Sequence, residues 1–377
     1  MAAPLKGIKV VELARILAGP WAGQLLGDLG AEVIKVESEQ GDDTRAWGPP
    51  FIERDNDVSA AYFHGCNRGK KSITVDLSTS KGQERIKKLV KESDILIENF
   101  KVGGLKKYGL DYESLKTNNK ALIYCSITGF GQDGPYATRA GYDYIIQGMS
   151  GLMSITGEPG GPPLKTGVAV TDIFTGIYAS TAILAALHQR KENGLGQHID
   201  MSLLDSAVAI LANQGMNYLS TGNSPGRMGN FHPNLSPYQV FECSDGHIII
   251  ATGNDQQYQR FCDILQCPEL GKNPKFVSNA KRVENRHELD EVLSRKTRNW
   301  KKAKLLKRCE VTSIPAGPIN SLDEVFSDKQ IIHRGMKLSL DGIPSIRSPI
   351  RFSESELNLD KPSPKLGEHN SVIFPDN

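Results

Sequence analysis

The residue that first suggests chemistry is Asp172, within the stretch GVAVTDIFTGIYASTAILAALHQR from Gly167 to Arg190. This stretch begins as a short run typical of a β-strand and continues as a long apolar pattern typical of a helix. Asp172 lies where the two patterns meet. An aspartate at such a boundary is commonly an N-cap, whose side chain accepts hydrogen bonds from the first helical amides. A reactive carboxylate would suit the same position, so Asp172 alone leaves both interpretations open.

Two further strings carry groups suited to binding anions. A tight Gly19-Pro20 turn precedes a helix pattern, whose free amides could face a ligand. Arg68, Lys70 and Lys71 cluster before a predicted strand, as a phosphate-rich ligand would require. Each string alone also fits an ordinary turn or a solvated basic surface, so neither decides the function.

Two loops add aromatic side chains. GDDTRAWGPPF holds Arg45 and Trp47, and the glycine-rich GFGQDGPYATRAGYD holds Tyr142.

The motifs of better-known sites are missing from the places where they would act. The turn after the first predicted strand has no GxGxxG, no GxSxG elbow is recognised, and neither GxxxxGK[ST] nor HExxH occurs. Standard dinucleotide, acyl-serine, P-loop and zinc-protease sites are therefore not indicated.

The composition narrows the class of protein further. A net charge of +2 over 377 residues gives no reason to expect a nucleic acid or an anionic membrane as partner. The six cysteines form no CxxC pair, so we predict reduced thiols and no metal site. The N-terminal stretch MAAPLKGIKVVELARIL scatters charges where a signal peptide would be apolar, and we expect a cytoplasmic protein.

The elements that would position these residues alternate along the chain. IKVVEL, AEVIKVE, KSITVDL, ILIENF and ALIYCSITGFG are predicted strands, the third ending at Leu77. Helix patterns separate them, one with Ser80 as a possible N-cap. GQHIDMSLL is predicted to be a further strand that enters a helix ending at Ala212. Such alternation predicts an α/β fold with a mostly parallel sheet and helices on its faces.

The second half of the chain changes character. Around STGNSPGRMGNFHPNLSP the sequence is rich in Gly, Pro, Asn and Ser, which predicts a linker or a long functional loop. YQVFECSDGHIIIATG then predicts a hairpin that turns at Asp245-Gly246. Short charged helices follow it.

Taken together and in this order, the strings resemble the class III CoA-transferases, which include formyl-CoA transferase. The resemblance runs from LKGIKVVEL to LGEH at residues 366–369, and AGP, LGAEVIKVE, GDDTR, KKSI, ENF, GYD and TDIFTG carry it. GDDTRAWGPPF, YCSITGFGQ and AGYD are especially similar to the succinate–hydroxymethylglutarate branch.

The resemblance implies an interlocked, ring-like homodimer of two-domain chains. A large Rossmann-like domain with a mostly parallel sheet would be built from both chain ends, residues 1–200 and 328–377. Residues 201–226 would form a linker, and 227–327 a smaller α+β domain.

The resemblance also implies a covalent mechanism in which Asp172 is the nucleophile. Its carboxylate would attack an acyl-CoA thioester and pass through an aspartyl anhydride and an aspartyl-CoA thioester. CoA thioesters would be substrates, and no cofactor would be bound permanently. A helix N-terminus, with about half a positive charge, would favour the anion and stabilise oxyanions.

Further site residues follow from the resemblance position by position. The expected contacts to CoA are Arg15, Leu17, Ala18, Lys70, Lys71, Asn99 and Lys107. Arg15 and Leu17 replace a His and a Gln of formyl-CoA transferase. Trp47 matches a mobile aromatic residue beside the active site. The polar loop with Arg227, Asn230 and His232 replaces a run of glycines, and we expect it to accept a dicarboxylate such as succinate or glutarate.

Two other functions stay open at this point. The α-methylacyl-CoA racemases resemble this family but carry a His in a GHD string, where this sequence has GYD with Tyr142. A tyrosine, with an ordinary pKa near ~10, is a poor base at neutral pH. We therefore expect Tyr142 to donate a hydrogen bond in a transferase. A catalytically inactive CoA-binding protein is the third reading, and retention of Asp172 with Tyr142 weighs against it.

Overall fold

A computed structural model describes residues 2–375 of the chain. They form two compact units. The described residues of the first unit fall within Met1–Leu152, Lys165–Ala212 and Lys329–Asn377. The second unit comprises Met153–Leu164 and Asn213–Asp328.

The described residues contain short strands in both units. The strands are β1 (Lys9–Glu12), β2 (Glu32–Glu37), β3 (Phe51–Arg54), β4 (Asp57–Ala60), β5 (Lys71–Thr74), β6 (Ile95–Glu98), β7 (Ile123–Thr128), β8 (His198–Ser202), β9 (Tyr238–Cys243), β10 (Gly246–Ala251), β11 (Ala316–Pro318), β12 (Lys337–Leu340) and β13 (Ile343–Ile346).

Helices follow most of these strands. They are α1 (Ala18–Asp28), α2 (Ala61–His64), α3 (Ser80–Lys91), α4 (Tyr112–Leu115), α5 (Asp143–Met149), α6 (Val170–Asn193), α7 (Leu203–Ala209), α8 (Ala212–Thr221), α9 (Asp255–Ile264), α10 (Pro268–Lys272), α11 (Asn279–Glu284), α12 (Arg286–Thr297), α13 (Lys302–Val311), α14 (Leu322–Ser327), α15 (Lys329–His333) and α16 (Asn370–Ile373).

The centre of the first unit is a six-stranded sheet in the order β5-β2-β1-β6-β7-β8. Every pairing in it is parallel. Parallel strands need crossover connections, which here include helices α1, α3 and α6. The predicted α/β class with a mostly parallel sheet is therefore confirmed.

Apolar residues cover both faces of this sheet. Along β1, Val10 belongs to the core cluster that contains residues of α1 and α6, whereas Val11 belongs to the cluster on the opposite face. Both side chains are fully buried. Alternate residues of a strand point to opposite faces, so a run of apolar residues marks a strand buried on both sides.

Helix α6 is 24 residues long and, by length and composition alone, apolar enough to cross a membrane. Core helices of soluble proteins share this property. In the first unit, α6 contributes Ala179, Ile183, Ala186 and Leu187 to the core beside α1.

The second unit has its own sheet and its own core. β9 and β10 form the predicted hairpin, and β11 pairs with β10 in the antiparallel order β11-β10-β9. Phe241, Ile248 and Phe261 belong to a buried cluster with residues of the surrounding helices. The sheet and helices agree with a smaller α+β unit.

Several local predictions differ from the structure. The segment before α6 is not a strand, and the third sheet strand ends at Thr74 rather than at Leu77. The N-cap of α3 is Thr79, whose hydroxyl accepts the Gly82 amide, and Ser80 is the first helical residue. The expected linker 201–226 contains all of α7 and all of α8. The predicted domain boundaries themselves stay a prediction.

The C-terminal segment returns to the edge strand of the first unit. The amide of His369 donates to the Ser72 carbonyl at 2.9 Å, and the Ser72 amide donates to His369 Nδ1 at 3.2 Å. The Thr74 amide donates to Asn370 Oδ1 at 2.8 Å. Both ends of the chain thus contribute to this unit.

Candidate active site

A cavity of about 430 Å³ opens in the first unit. Its lining includes Arg15 to Ala18, which follow β1, and Asn99 to Val102, which follow β6. β1 and β6 are neighbours, but the chain leaves β1 for β2 on the other side. This is the topological switch point of an open parallel sheet, where ligands bind beyond the carboxyl ends of the strands.

The loop after β1 is held in a fixed shape at the cavity wall. Asn99 accepts the Arg15 amide at 2.9 Å and donates to the Arg15 carbonyl at 2.7 Å. The next amide, of Ile16, donates to the Asp42 carboxylate at 3.2 Å. Ile16 has φ +71°, a strained value for a β-branched residue. Such strain persists only where surrounding bonds over-determine the backbone, as these do.

A buried ion-pair network lies beneath this loop, formed by Glu12, Lys35, Asp42 and Lys70. Lys35 Nζ lies 2.8 Å from Asp42 and 3.2 Å from Glu12, and Lys70 Nζ lies 2.8 Å from Glu12. Lys35 also donates to the Ala14 carbonyl at 2.9 Å. Despite full burial, the surrounding carboxylates raise the pKa of Lys35. Negative and positive side chains therefore alternate in the order Asp42, Lys35, Glu12, Lys70 beneath the loop.

Helix α6 brings Asp172 to the cavity by packing closely on α1. A Cβ at Gly176 would lie 2.7 Å from the Ala18 carbonyl oxygen, so only glycine permits this approach. Asp172 lies one turn earlier on α6 and lines the cavity together with Leu17 and Ala18. The N-termini of α1 and α6 thus border the same space, and both favour negative charge.

Asp172 is not the N-cap of α6. The N-cap is Ala169, which makes no side-chain capping bond, and Asp172 lies in the first turn. The capping bonds come from Asp143 at the start of α5, whose carboxylate accepts the Thr171 amide at 2.8 Å. The simple capping interpretation of Asp172 is therefore wrong.

The Asp172 carboxylate is left unpaired. In residues 2–375 the structure shows no hydrogen bond or ion pair to it. Burial, and secondarily the negative charge of Asp143, raise its pKa from 3.8 to about 7. It is therefore a carboxylate poised to change charge near neutral pH.

Cationic and aromatic side chains line the same cavity. Lys107 and Arg139 are exposed, and the Arg139 guanidinium lies 4.6 Å from the centre of the Tyr136 ring. Tyr142 is also exposed and lines the cavity. Arg139 was not predicted from the sequence, although the string TRAGYD places it three residues before Tyr142.

A second residue that the sequence analysis missed is Tyr62 of α2. Burial, followed by the negative charge of Asp172, raises the pKa of Tyr62 to about 12. Its ring contacts Trp47 edge to face, with 5.4 Å between ring centres. Trp47 itself is exposed and lines a neighbouring cavity that contains Asp43 and Phe51, not the cavity of Asp172.

Two glycines let two loops meet at the cavity wall. A Cβ at Gly129 would lie 2.7 Å from the Cα of Gly141, and one at Gly141 would lie 2.8 Å from the Cα of Gly129. Both residues line the cavity. The glycine-rich string after β7 therefore serves a backbone contact, which then positions Tyr142 and Asp143.

The two lysines of the basic cluster are not at the cavity. Lys70 is completely buried in the ion-pair network, and it also donates to the Pro20 carbonyl and to Asn67, each at 2.8 Å. The expected phosphate contact of Lys70 is therefore wrong. Lys71 pairs with Glu32 at 2.7 Å at the amino end of β5, away from the carboxyl ends of the strands.

The predicted acceptor residues lie in the second unit. His232 Nδ1 accepts the amides of Asn234 and Leu235, each at 3.1 Å, so it stabilises a turn in this unit. Burial lowers the pKa of His232. Arg227 donates to the Gly161 carbonyl at 2.6 Å, and Asn230 is exposed. Their expected contact with an acceptor stays a prediction.

Known proteins match this chain over nearly its full length. A family model described as CoA-transferase family III matches residues 5–370. The succinate–glutarate CoA-transferase of Agrobacterium fabrum is 55% identical over 379 residues, covering 98% of this chain and 95% of that protein. The human succinyl-CoA:glutarate CoA-transferase is 43% identical, covering 98% of this chain and 85% of that protein.

A solved structure matches as closely. The crystal structure of a CAIB/BAIF family protein from Brucella suis has 57% sequence identity and a TM-score of 0.91. The match covers 100% of both chains. The resemblance inferred from the sequence strings is confirmed at the level of the family.

Proposed function

Since this chain belongs to CoA-transferase family III, we propose that it transfers CoA from succinyl-CoA to a dicarboxylate such as glutarate, with Asp172 as nucleophile. The unpaired Asp172 carboxylate, at a helix N-terminus and inside a cavity that cationic side chains also line, is the observation that carries the proposal. Relatives that share 55% and 43% of their residues are named for succinate and glutarate.

The reaction proceeds by exchange of acyl bonds and needs no external proton. An Asp172 oxygen attacks the thioester carbon, a C–O bond forms, and the C–S bond breaks to give a mixed anhydride and CoA thiolate. The thiolate attacks the Asp172 carbonyl carbon and releases succinate, which leaves Asp172 as a CoA thioester. The acceptor carboxylate attacks this thioester, which breaks its C–S bond and gives a second mixed anhydride and CoA thiolate. The thiolate then attacks the acyl carbon of the acceptor, forms the new acyl-CoA and releases the Asp172 carboxylate.

The neighbouring groups suit each partner in this exchange. The positive ends of α1 and α6 stabilise the oxyanions that form at the attacked carbonyl carbons. Exposed Lys107 and Arg139 suit the CoA phosphates. Arg15, Leu17, Ala18 and Asn99 form the wall beside them, and the Tyr142 hydroxyl donates a hydrogen bond to the bound acyl group.

The first experiment measures intact-protein mass after the protein is mixed with succinyl-CoA and quenched. The wild type is expected to carry a CoA adduct, and hydroxylamine should convert the Asp172 peptide to a hydroxamate. The matched variant Asp172→Asn should carry neither. Absence of any adduct, with solvent deuterium entering a 2-methylacyl-CoA, would identify a racemase instead.

A paired acceptor assay tests the substrate class. Glutarate and pentanoate have the same chain length but differ by one carboxylate, so their comparison isolates recognition of the second charge. The polar loop with Arg227, Asn230 and His232 is proposed to supply that recognition. Equal kcat/KM for both acids would contradict the dicarboxylate assignment.

We further propose that two copies assemble as a homodimer and that the protein is cytoplasmic. Phe174, Ile177, Tyr178 and Leu184 of α6 are at least 36% exposed in the single chain. Apolar exposure of this extent on a core helix is typical of a surface covered by a partner. Equilibrium sedimentation at micromolar concentration should give twice the chain mass of 41.3 kDa.

A further inference from the structure

Two carboxylates lie at the first turn of α6, and their bonding differs completely. Asp143 Oδ1 accepts the Thr171 amide at 2.8 Å and the Thr171 hydroxyl at 2.7 Å. Its other oxygen accepts the Gln147 side-chain amide at 2.7 Å. Asp172, one residue after Thr171, has no such donor among the described residues. The Thr171 amide at the helix start is therefore capped by Asp143 and not by Asp172.

Helix α5 holds the chain on both sides of this turn. The Gln147 side chain is fully buried, and its carbonyl oxygen accepts the Thr166 amide at 3.0 Å. Asp143, on the same helix, holds Thr171. The five-residue step between these two threonines leads directly to Asp172. Its backbone is thus fixed by side chains of α5.

A carboxylate that caps a helix gives its lone pairs to amides, and these bonds stabilise the anion and reduce its reactivity. We propose that Asp143 is a positioning residue for the transfer reaction: it, and not Asp172, accepts the Thr171 amide at the helix start, and its negative charge makes the free Asp172 carboxylate a stronger nucleophile. This inference rests on the proposed function of Asp172.

The other ionisable groups around Asp172 do not offset this charge. The Asp172 charge contributes to the raised pKa of Tyr62 of α2, and Tyr142 of the preceding loop lines the cavity; neither side chain can carry a positive charge. The cations of the cavity form no ion pair with Asp172 in residues 2–375; they are Arg15, Lys101, Lys107 and Arg139. Burial together with Asp143 raises the pKa of Asp172 to about 7, so the nucleophile is largely ionised only at slightly alkaline pH.

The test is the pH dependence of CoA-adduct formation on Asp172, measured by rapid quench and mass spectrometry. For the wild type, a pKa of about 7 predicts a rate at pH 6 roughly tenfold below that at pH 8. Asp143→Asn keeps the size and one acceptor for Thr171 but removes the charge. Its acidic limb should move to lower pH, so its ratio of rates should be smaller, and its plateau rate at pH 8 should fall.

Thr171→Val is the matched control, because it removes the hydroxyl bond to Asp143 and leaves the Thr171 amide bond and the Asp143 charge in place. It should lower thermal stability without moving the acidic limb. Asp143→Ser, which keeps a hydroxyl acceptor, repeats the measurement on a second uncharged variant. An Asp143→Asn profile lowered equally at every pH, with its limb unmoved, would reduce Asp143 to a structural cap. Failure of the wild type to form any adduct would instead overturn the proposed function, and this inference with it.

Discussion

Carboxylates have cationic partners in the ion-pair network, but the carboxylate of Asp172 at the start of α6 has none among the described residues. Glu12 and Asp42 lie fully buried against Lys35 and Lys70, and every charge has a partner within 3.2 Å. Asp172 is half-buried in the cavity lining, and no described residue forms an ion pair with it. Paired charges hold the loop after β1 in place, whereas the unpaired carboxylate is the one proposed to react. Under that proposal, the groups that fix the geometry are separate from the group that reacts.

The largest loss of stability is expected when a cation is removed from the buried ion-pair network. Lys35→Met would leave Asp42 buried without its cation and Glu12 with Lys70 alone. Breaking a buried pair in this way costs about 3–5 kcal/mol. Thermal unfolding followed by circular dichroism should show a large loss of stability. Lys87→Met, which breaks an exposed i,i+3 pair with Glu84, is the control and should change stability by about 0.5 kcal/mol or less.

Gly129→Ala tests whether the cavity of Asp172 depends on the close backbone contact between Gly129 and Gly141. The new Cβ would meet the Gly141 backbone at 2.7 Å, where no flexible side chain can yield. We expect a stability loss of up to about 3 kcal/mol and a fall in kcat/KM, because the loop bearing Tyr142 and Asp143 must shift. Gly167→Ala, which meets nothing within 4 Å, should leave the melting temperature nearly unchanged.

Asp172→Asn should stabilise the protein while abolishing transfer. A raised pKa means that the folded state binds the proton more tightly than the unfolded state, so stability is lost as pH rises from about 4 to about 7. Above that range the ionised Asp172 costs about 2 kcal/mol, allowing for its partial exposure. The variant should melt higher at pH 8, and the difference should vanish below pH 4.

The control for the predicted gain in thermal stability of Asp172→Asn is the variant Asp205→Asn. Asp205 is an exposed residue in the first turn of α7, where a negative charge favours the helix. Its removal should be neutral or slightly destabilising. A higher melting temperature for this variant as well would show that the Asp172 effect is not specific to its site.

The smallest expected effect is on KM, for a lysine that lines the cavity instead of belonging to the buried ion-pair network. Lys107→Met should raise KM for succinyl-CoA about fivefold to tenfold, since a charged hydrogen bond contributes about 1–1.5 kcal/mol. The effect should shrink at high salt. Lys106→Met, at the neighbouring exposed position that does not line the Asp172 cavity, should leave KM within about twofold.

The parts of the fold that depend on local patterns could be predicted from the sequence. Apolar runs such as the one at Val10 and Val11 mark strands buried on both faces, and the helix patterns between them gave the parallel sheet. The location of Asp172 at the start of a long apolar helix was equally visible.

What the sequence could not reveal were partners distant along the chain. Lys70 meets Glu12 across 58 positions, so its neighbours in sequence wrongly suggested a phosphate contact. Asp143 reaches Thr171 across 28 positions and takes the capping role that local rules assign to Asp172. The identity of the residue at a helix start was predictable, but its hydrogen-bond partner was not.

The return of the C-terminal segment to β5 has a consequence for solubility. β5 is an edge strand, and an uncovered edge offers its backbone amides and carbonyls to any other extended chain. His369 and Asn370 occupy the exposed groups of Ser72 and Thr74. These residues therefore protect the edge strand from pairing with other chains. A chain cut before them would lose that protection while retaining every residue that lines the cavity of Asp172.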